Sequence, residues 1–173
     1  NIDLIIKAVS KIIPNIDLHF VIAGIGAEKE NLENLAKKLS IQNRVHFIGF
    51  VSDKDLNNVY RIADCFVIAS TAELQSIVTL EALASGIPVI AANAVALPEL
   101  VKNGENGFLF EPNNLDDLIK KIEIIFSDSD SRKKMSEKSL TIAANHSIEK
   151  TISQFEEIYF EQINKFNNEK NTG

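Results

Sequence analysis

Short apolar segments rich in β-branched residues alternate with segments of helical periodicity, and this alternation restricts the chain to very few folds. Residues 29–39 and 53–63 carry apolar side chains at helical spacing between such segments. Strands that alternate with helices form right-handed βαβ units, so the pattern predicts an α/β fold: an open parallel sheet of about five or six strands with helices on both faces. The predicted strands are residues 21–24, 45–49, 65–70, 88–92 and 107–110.

The chain after the fifth strand is predicted to be helical to about Phe166. Its last segment, residues 148–166, places apolar side chains on one face, which is typical of a helix lying over a surface. We predict one domain over residues 1–166 and a polar tail over 167–173 that frays. The apolar residues of the last helix are Ile152, Phe155, Ile158, Tyr159 and Ile163.

The composition excludes several classes of protein. With 45% hydrophobic and 24% charged residues, the 173-residue chain resembles a soluble globular domain, and no apolar run is long enough to predict a membrane span. A net charge of −6 argues against nucleic acid as a partner. The single cysteine, Cys65, lies in an apolar strand and is predicted to be a small buried hydrophobe. We expect a cytoplasmic protein, with peripheral association at the inner face of the membrane as the alternative.

Ligands of open parallel sheets bind beyond the carboxyl ends of the strands, so the residues after each strand are the most informative. Gly24 and Gly26 follow the first strand, but a dinucleotide fingerprint needs a third glycine where this chain has Lys29. Two glycines before a helix either bring backbone amides close to a phosphate or form a tight turn without a ligand. The sequence leaves both interpretations open and argues against NAD.

Glu81 is the only charged side chain between Glu73 and Glu99, and its neighbours are apolar. Burial of an unpaired carboxylate costs roughly several kcal/mol, so Glu81 either faces solvent or accepts hydrogen bonds from donors, which a ligand could supply. A helix beginning near Ser76 would present free N–H groups to an anion. Two carboxylates flanking a helix N-terminus suit a ligand with hydroxyls at both ends and phosphate in the middle, such as a nucleotide-sugar.

Residues 69–91 resemble the E-x7-E signature of retaining GT-B glycosyltransferases of the family 4 type, also called glycosyl transferases group 1, with Glu73 and Glu81 as the two acidic residues. The resemblance covers the whole chain. It implies a Rossmann-like, donor-binding C-terminal half, preceded in the complete enzyme by an acceptor-binding domain. Further landmarks, in order, are residues 21–26, 45–51, 97–101, 103–109 and Tyr159.

The resemblance implies specific roles at matching positions. Glu73, the catalytic candidate, would contact hydroxyls of the donor sugar, and Glu81 would contact those of the nucleotide ribose. Backbone amides at residues 76–78 would hold the diphosphate, and the backbone at residues 50–51 would frame the nucleobase. The donor-binding residues so implied are Gly24, Gly26, Phe50, Val51, Glu73, Gln75, Ser76, Ile77, Val78 and Glu81.

The implied activity is transfer of a hexose from a nucleotide-diphosphate sugar, a UDP-sugar above all, to a sugar or lipid acceptor with retention. The donor is a substrate, and neither a cofactor nor a metal is expected. Where the family usually has Gly-Phe-Gly after the first Glu, this chain has Leu74-Gln75-Ser76. This sequence is similar to the one that diacylglycerol glucosyltransferases have at the same place. An Arg and a Lys that clamp the phosphate in this family would fall just before Asn1. The alternative is a non-catalytic α/β module that binds a nucleotide or a protein partner.

Two Asp-x-Asp sequences, at residues 53–55 and 128–130, match a pattern that binds divalent cations in another glycosyltransferase fold. Neither follows a predicted strand, so we interpret them as turn and helix-capping residues. The three histidines, His19, His46 and His146, lie far apart in sequence without carboxylates or cysteines at ligand spacing. The sequence therefore predicts no metal site.

Overall fold

The computed structural model describes the backbone of residues 1–171 and the side chains of residues 1–167. Within this range the strands are β1 (Phe20–Ala23), β2 (Val45–Gly49), β3 (Phe66–Ile68), β4 (Val89–Ala92) and β5 (Gly107–Phe110). The helices are α1 (Ile2–Ile12), α2 (Lys29–Lys38), α3 (Asp53–Arg61), α4 (Ile77–Ala84), α5 (Leu97–Leu100), α6 (Leu115–Ser127), α7 (Ser129–Ala143) and α8 (Ile148–Asn171), with a 3-10 turn at Ala144–His146.

All five strands are parallel, which confirms the predicted α/β class, but they form two sheets. β1 pairs with β2, and β3, β4 and β5 form a second sheet in that order. In the part of the chain that the structure describes, the five parallel strands thus divide into a two-stranded and a three-stranded sheet, where the sequence predicted one sheet. The interruption lies between β1 and β3, where an apolar cleft separates the two sheets.

The core is centred on β4, whose four side chains are all buried. α4 and α6 both pack against β4, so the larger sheet is covered by helices on each face. The first helix, α1, was not among the predicted elements although its apolar residues have helical spacing. It buries Ile5, Val9 and Ile12 and packs against α2 and α6. α1 is thus part of the core.

The last helix, α8, extends through Asn171, beyond the predicted domain end at Phe166. The expected frayed tail, residues 167–173, overlaps the end of this helix, and residues 172–173 lie outside the described residues. The apolar side chains of α8, among them Phe155 and Phe160, are exposed, so α8 does not lie over a surface of the described residues. In the described part of the chain, no helix is both long enough and apolar enough to span a bilayer.

Candidate functional site

The N-terminus of α4 lies beyond the carboxyl end of β3 and forms the centre of the candidate site. Its capping residue, Ser76, is buried and adopts a left-handed conformation with φ of 47°. The Ser76 hydroxyl is 2.7 Å from the Thr79 hydroxyl, and the Ser76 carbonyl accepts hydrogen bonds from the amides of Thr79 and Leu80. The first two helical residues, Ile77 and Val78, are exposed, so their amides lie at a helix terminus that solvent or a ligand can reach.

The loop that leads into α4 carries Glu73, which is half-buried. Its carbonyl accepts a hydrogen bond of 3.2 Å from the amide of Ala96, which fixes the loop against the segment before α5. The next two residues, Leu74 and Gln75, are exposed. Glu73 therefore lies on an anchored loop, four residues before the first residue of α4, as the sequence predicted. The roles of Glu73 and of the α4 N-terminus stay a prediction.

Glu81 lies in the second turn of α4 and has a protein partner. The Tyr60 hydroxyl, from the end of α3, donates to Glu81 Oε2 at 3.0 Å and lies 3.3 Å from the Val78 carbonyl oxygen. Tyr60 is buried, and this burial together with the adjacent carboxylate raises the pKa of its phenol. Sequence reasoning assigned Tyr60 only to an apolar helical stripe, so it missed the donor that orients Glu81.

The other predicted residues follow β1 and β2. Gly24 has φ of +124°, a backbone conformation that favours glycine, and its amide donates to the Gly49 carbonyl at 2.7 Å. A Cβ atom at Gly24 or Gly26 would meet no atom within 4 Å, so the backbone there borders open space. Phe50 is exposed and Val51 half-buried. These residues lie at the carboxyl ends of the two-stranded sheet, across the cleft from β3.

Side chains that could bind a metal or act as a nucleophile lie away from the carboxyl ends of the strands. Asp128 caps α7 by accepting hydrogen bonds from the amides of Asp130 and Ser131, which confirms the capping interpretation. Burial raises the pKa of the Cys65 thiol to about 12, as expected of an unreactive cysteine. Within the described residues, no cluster of three or more His, Cys, Asp and Glu side chains could hold a metal ion.

Two histidines that are distant in sequence come together near the amino ends of β1 and β2. The parallel register of β1 and β2 places His19 Nδ1 at 2.8 Å from His46 Nε2, and Arg44 bonds both His19 and Asp17. Sequence spacing gave no signal for this pair, because only strand pairing joins its members. The pair lies at the amino ends of the strands and does not contribute to the candidate site.

Known sequences similar to this chain are glycosyltransferases. The family model for glycosyl transferases group 1 matches residues 1–141. An uncharacterized glycosyltransferase of Haemophilus influenzae is 34% identical over 143 residues, which are 82% of this chain and 40% of that protein. D-inositol 3-phosphate glycosyltransferase of Corynebacterium efficiens is 31% identical over 80% of this chain and 33% of its own length. The chain thus spans well under half the length of these relatives.

Solved structures with the same fold agree with the sequence matches. Anabaena HepE in complex with UDP superposes with a TM-score of 0.81 at 27% identity, covering 92% of this chain and 44% of that chain. The C-terminal domain of a glycosyl transferase group 1 protein, LpcC of Francisella tularensis, gives a TM-score of 0.75 at 29% identity, covering 83% of this chain and 77% of that chain. The match to the family model over residues 1–141 and the similarity to known sequences show that the chain belongs to the glycosyl transferases group 1 family.

Proposed function

We propose that this chain is the donor-binding domain of an enzyme that transfers a hexose from a nucleotide-diphosphate sugar to an acceptor with retention. The observation that carries the proposal is the N-terminus of α4 between two half-buried carboxylates, Glu73 and Glu81. Helix N-terminal amides suit a diphosphate, and carboxylates accept hydrogen bonds from hydroxyls on either side of it. This arrangement matches the order sugar, diphosphate and ribose within a nucleotide-sugar.

UDP is the nucleotide that we propose. Support comes from Anabaena HepE, which has been solved with UDP and with UDP-glucose and is 27% identical to this chain. The segment after β2, where Phe50 is exposed and Val51 is half-buried, is the proposed nucleobase contact. Gly24 and Gly26 border open space on the same edge, so their amides can approach a bound donor closely.

The proposed chemistry depends on charge that develops on the leaving diphosphate. The amides of Ile77 and Val78 lie in the first turn of α4, which the hydrogen bonds from the amides of Thr79 and Leu80 to the Ser76 carbonyl hold in place, so they stabilise that charge without having to reorient during the reaction. Glu73 is the proposed catalytic carboxylate, which contacts the donor sugar, and Gln75 lies beside it. We propose that no metal takes part, and this predicts donor binding that EDTA leaves unchanged.

The acceptor site is proposed to lie in a part of the protein outside this chain, since the relatives are more than twice as long as the matched region. A sugar or a lipid is the proposed acceptor class. Leu74-Gln75-Ser76, with Leu74 and Gln75 exposed, stands where the resemblance implies Gly-Phe-Gly and borders the donor-sugar side of the site. A cytoplasmic location, with or without peripheral membrane association, stays a prediction.

Calorimetric titration of the full-length protein with UDP, GDP, ADP and UDP-glucose tests the proposal. Glu81→Gln should weaken UDP binding by about 1.5–3 kcal/mol, the range for hydrogen bonds to a charged group. Its melting temperature should hardly change, because the glutamine carbonyl still accepts from Tyr60. Glu123→Gln, at an exposed carboxylate on α6, is the matched control and should bind UDP normally.

The alternatives give different results in the same experiment. Nucleotide binding without acceptor-dependent release of UDP would favour a non-catalytic nucleotide-binding module. No binding of any nucleotide would favour a module for a protein partner. If Glu81→Gln left UDP affinity unchanged but lowered the melting temperature, Glu81 would be a structural residue and the proposed site would be wrong.

A further inference from the structure

Four polar side chains form a cluster at the amino ends of β1 and β2, away from the candidate site. Asp17 and His19 precede β1, Arg44 precedes β2, and His46 is the second residue of β2. The Phe20 amide donates to the Arg44 carbonyl at 2.8 Å, which joins the start of β1 to the start of β2. Side chains two residues apart on an extended chain point to the same face, so the parallel register brings all four together.

Hydrogen-bond chemistry fixes the direction of each bond between these side chains. A guanidinium can only donate, and Arg44 Nη1 donates to the Asp17 carboxylate and, at 2.9 Å, to His19 Nε2. His19 Nε2 must therefore accept, so a neutral His19 ring carries its proton on Nδ1. This Nδ1–H donates to His46 Nε2 at 2.8 Å, and the His46 proton then also lies on Nδ1.

Both imidazoles have to be neutral for this series of bonds to exist. A protonated imidazole carries N–H on both nitrogens and accepts no hydrogen bond. Protonation of His19 would place its Nε2–H against the Arg44 donor, with two positive charges side by side. Protonation of His46 would place its Nε2–H against the Nδ1–H of His19. Either event breaks a bond that connects the two strands.

The charged groups around the cluster leave this requirement in place. Asp17 would attract a protonated His19, but its carboxylate is bonded to Arg44, and this bond lowers the pKa of Asp17. Asp17 therefore stays charged while histidines titrate, and it keeps Arg44 beside His19. The remaining titratable neighbours make no hydrogen bond or ion pair with either histidine in the described part of the chain. They are Tyr60, Asp64, Cys65 and Glu81 around the cleft that His19 lines, and Glu33 and Lys37 of α2 beside the other face of β2.

We propose that Asp17, His19, Arg44 and His46 form a histidine clamp, which ties the amino ends of β1 and β2 together only while both imidazoles are neutral. Histidines in an unfolded chain gain a proton near pH 6.5. Because the clamped state keeps both rings unprotonated, it binds fewer protons in acid than the unfolded chain does. The histidine clamp is therefore complete above about pH 6.5 and is lost as the pH falls below that value.

The histidine clamp acts on the smaller of the two sheets. Two strands by themselves are marginally stable in water, so bonds at one end of the β1–β2 pair affect how often the pair opens. The three-stranded sheet has no part in the cluster, and the four side chains of β4 are buried. Acid should therefore loosen β1 and β2 and leave β4 unchanged. The proposed donor site lies at the carboxyl ends of the strands and is not needed for this inference.

Nitrogen NMR of the full-length protein, with nitrogen-15 in the histidine rings, reads the tautomers directly. At about pH 7.5, His19 and His46 should both carry their proton on Nδ1. Each signal is assigned by its loss in His19→Gln or His46→Gln. A neutral His19 with its proton on Nε2 would overturn the proposal, because Arg44 could not then donate to that nitrogen.

Amide hydrogen exchange of the full-length protein, corrected for the pH dependence of intrinsic exchange, measures whether acid opens the strand pair. Between about pH 7.5 and pH 5.5, protection of the β1 and β2 peptides should fall at least about fivefold, the effect of one lost hydrogen bond. Protection of the β4 peptide is the internal reference and should stay constant. Equal protection of β1 and β2 at the two pH values would also overturn the proposal.

Glutamine variants separate histidine protonation from other effects of acid. A glutamine side chain both donates and accepts but does not titrate, so β1 and β2 should be equally protected at both pH values when His19 and His46 are both replaced by Gln. The matched control is His146→Gln, on the 3-10 turn, which should lose protection in acid as the wild type does. Loss of protection in the double variant as large as that in the wild type would contradict the histidine clamp.

The wild-type tautomers decide the question alone if the double variant does not fold. None of these measurements involves a nucleotide, so failure of the histidine clamp and failure of the proposed donor site are distinguishable.

Discussion

At the residue scale, the pairing of Tyr60 with Glu81 explains how a carboxylate fits into an apolar helix. Glu81 gains a strong donor from α3, so its charge has a partner before any ligand arrives. Tyr60 also packs edge-on against Phe66 of β3, which limits the freedom of its ring. We infer that Tyr60 is a positioning residue, because its hydroxyl holds the Glu81 carboxylate of α4 in one orientation beside the cleft.

The raised pKa of Tyr60 predicts a loss of stability at alkaline pH. The unfolded chain releases the tyrosine proton near pH 10, whereas the folded chain retains it to a higher pH. The stabilisation is therefore complete below about pH 10 and declines as pH rises above it. The free energy of unfolding, measured in urea between pH 8 and pH 11, should decline less steeply for Tyr60→Phe than for the wild type.

The matched control for this prediction is the other tyrosine. Tyr159 lies on α8 with its side chain exposed, so Tyr159→Phe should follow the wild-type pH profile. If Tyr60→Phe and the wild type lost stability in parallel above pH 10, the Tyr60–Glu81 contact would not be present in solution.

At the element scale, the turn before β5 determines how closely β4 and β5 approach. Asn106 is fully buried, and its side chain donates to the Leu100 carbonyl at 2.9 Å and accepts from the Lys102 amide at 2.7 Å. These bonds anchor the turn. Gly107 follows directly and pairs with Val89, so the Gly107 Cα lies close to the Val89 backbone. Only a residue without Cβ fits this approach.

Gly107→Ala should therefore destabilise the domain severely. The new Cβ would overlap the Val89 carbonyl, and backbone cannot move aside as a flexible side chain can. We expect a loss of at least about 3 kcal/mol in the free energy of unfolding. Gly104→Ala is the control: its φ of +77° is also positive, but its Cβ would meet open space. It should cost about 1 kcal/mol, and equal losses for both variants in urea unfolding would contradict the steric explanation.

At the scale of the whole molecule, α8 contributes an exposed apolar face and little core. Its apolar side chains are largely exposed in the described part of the helix. Such a surface promotes association or binds another part of the protein. Its apolar members include Ile148, Ile152, Phe155, Ile158, Tyr159, Phe160 and Ile163.

Removal of α8 should improve solubility without unfolding the domain. Among the described side chains of residues 148–167, a chain that ends at Ser147 loses exposed ones and the half-buried Thr151, so its melting temperature should stay within about 3 °C of that of residues 1–173. Its light scattering on concentration should decrease. As a control, a chain that ends at Asp128 also loses the buried Met135 and Ser139 of α7 and should unfold. A large loss of stability after removal of α8 alone would show that this helix packs on the core in solution.

Residues 1–173 should bind donor weakly and transfer no sugar. Holding two reactants in one cleft lowers a barrier by roughly 7–11 kcal/mol, and the proposed acceptor site lies outside this chain. Release of UDP from UDP-glucose, with and without sugar or lipid acceptors, measures the activity beside the full-length protein. Acceptor-dependent turnover by residues 1–173 at the rate of the full-length protein would show that the acceptor site lies within this chain.

Local periodicity was sufficient for most of the secondary structure. β2 and β5 have the predicted bounds, and α2, α3 and α4 begin where apolar spacing and capping residues indicated. These elements were predictable because their signals lie within a few adjacent residues. α1 carries the same signal, with buried apolar residues at helical spacing, but was not assigned. The positions of Glu73 and the α4 N-terminus followed from the order of strand and helix.

By itself, the sequence determined the α/β class, the parallel strands and the edge at which polar side chains gather, since each depends on residues close together along the chain. Tertiary structure decided which side chains meet. Tyr60 reaches Glu81 from 21 residues away, His19 reaches His46 from 27 away, and the cleft is bounded by β1 and β3, which never pair. These contacts depend on how strands and helices pack, and no local pattern encodes packing between distant segments.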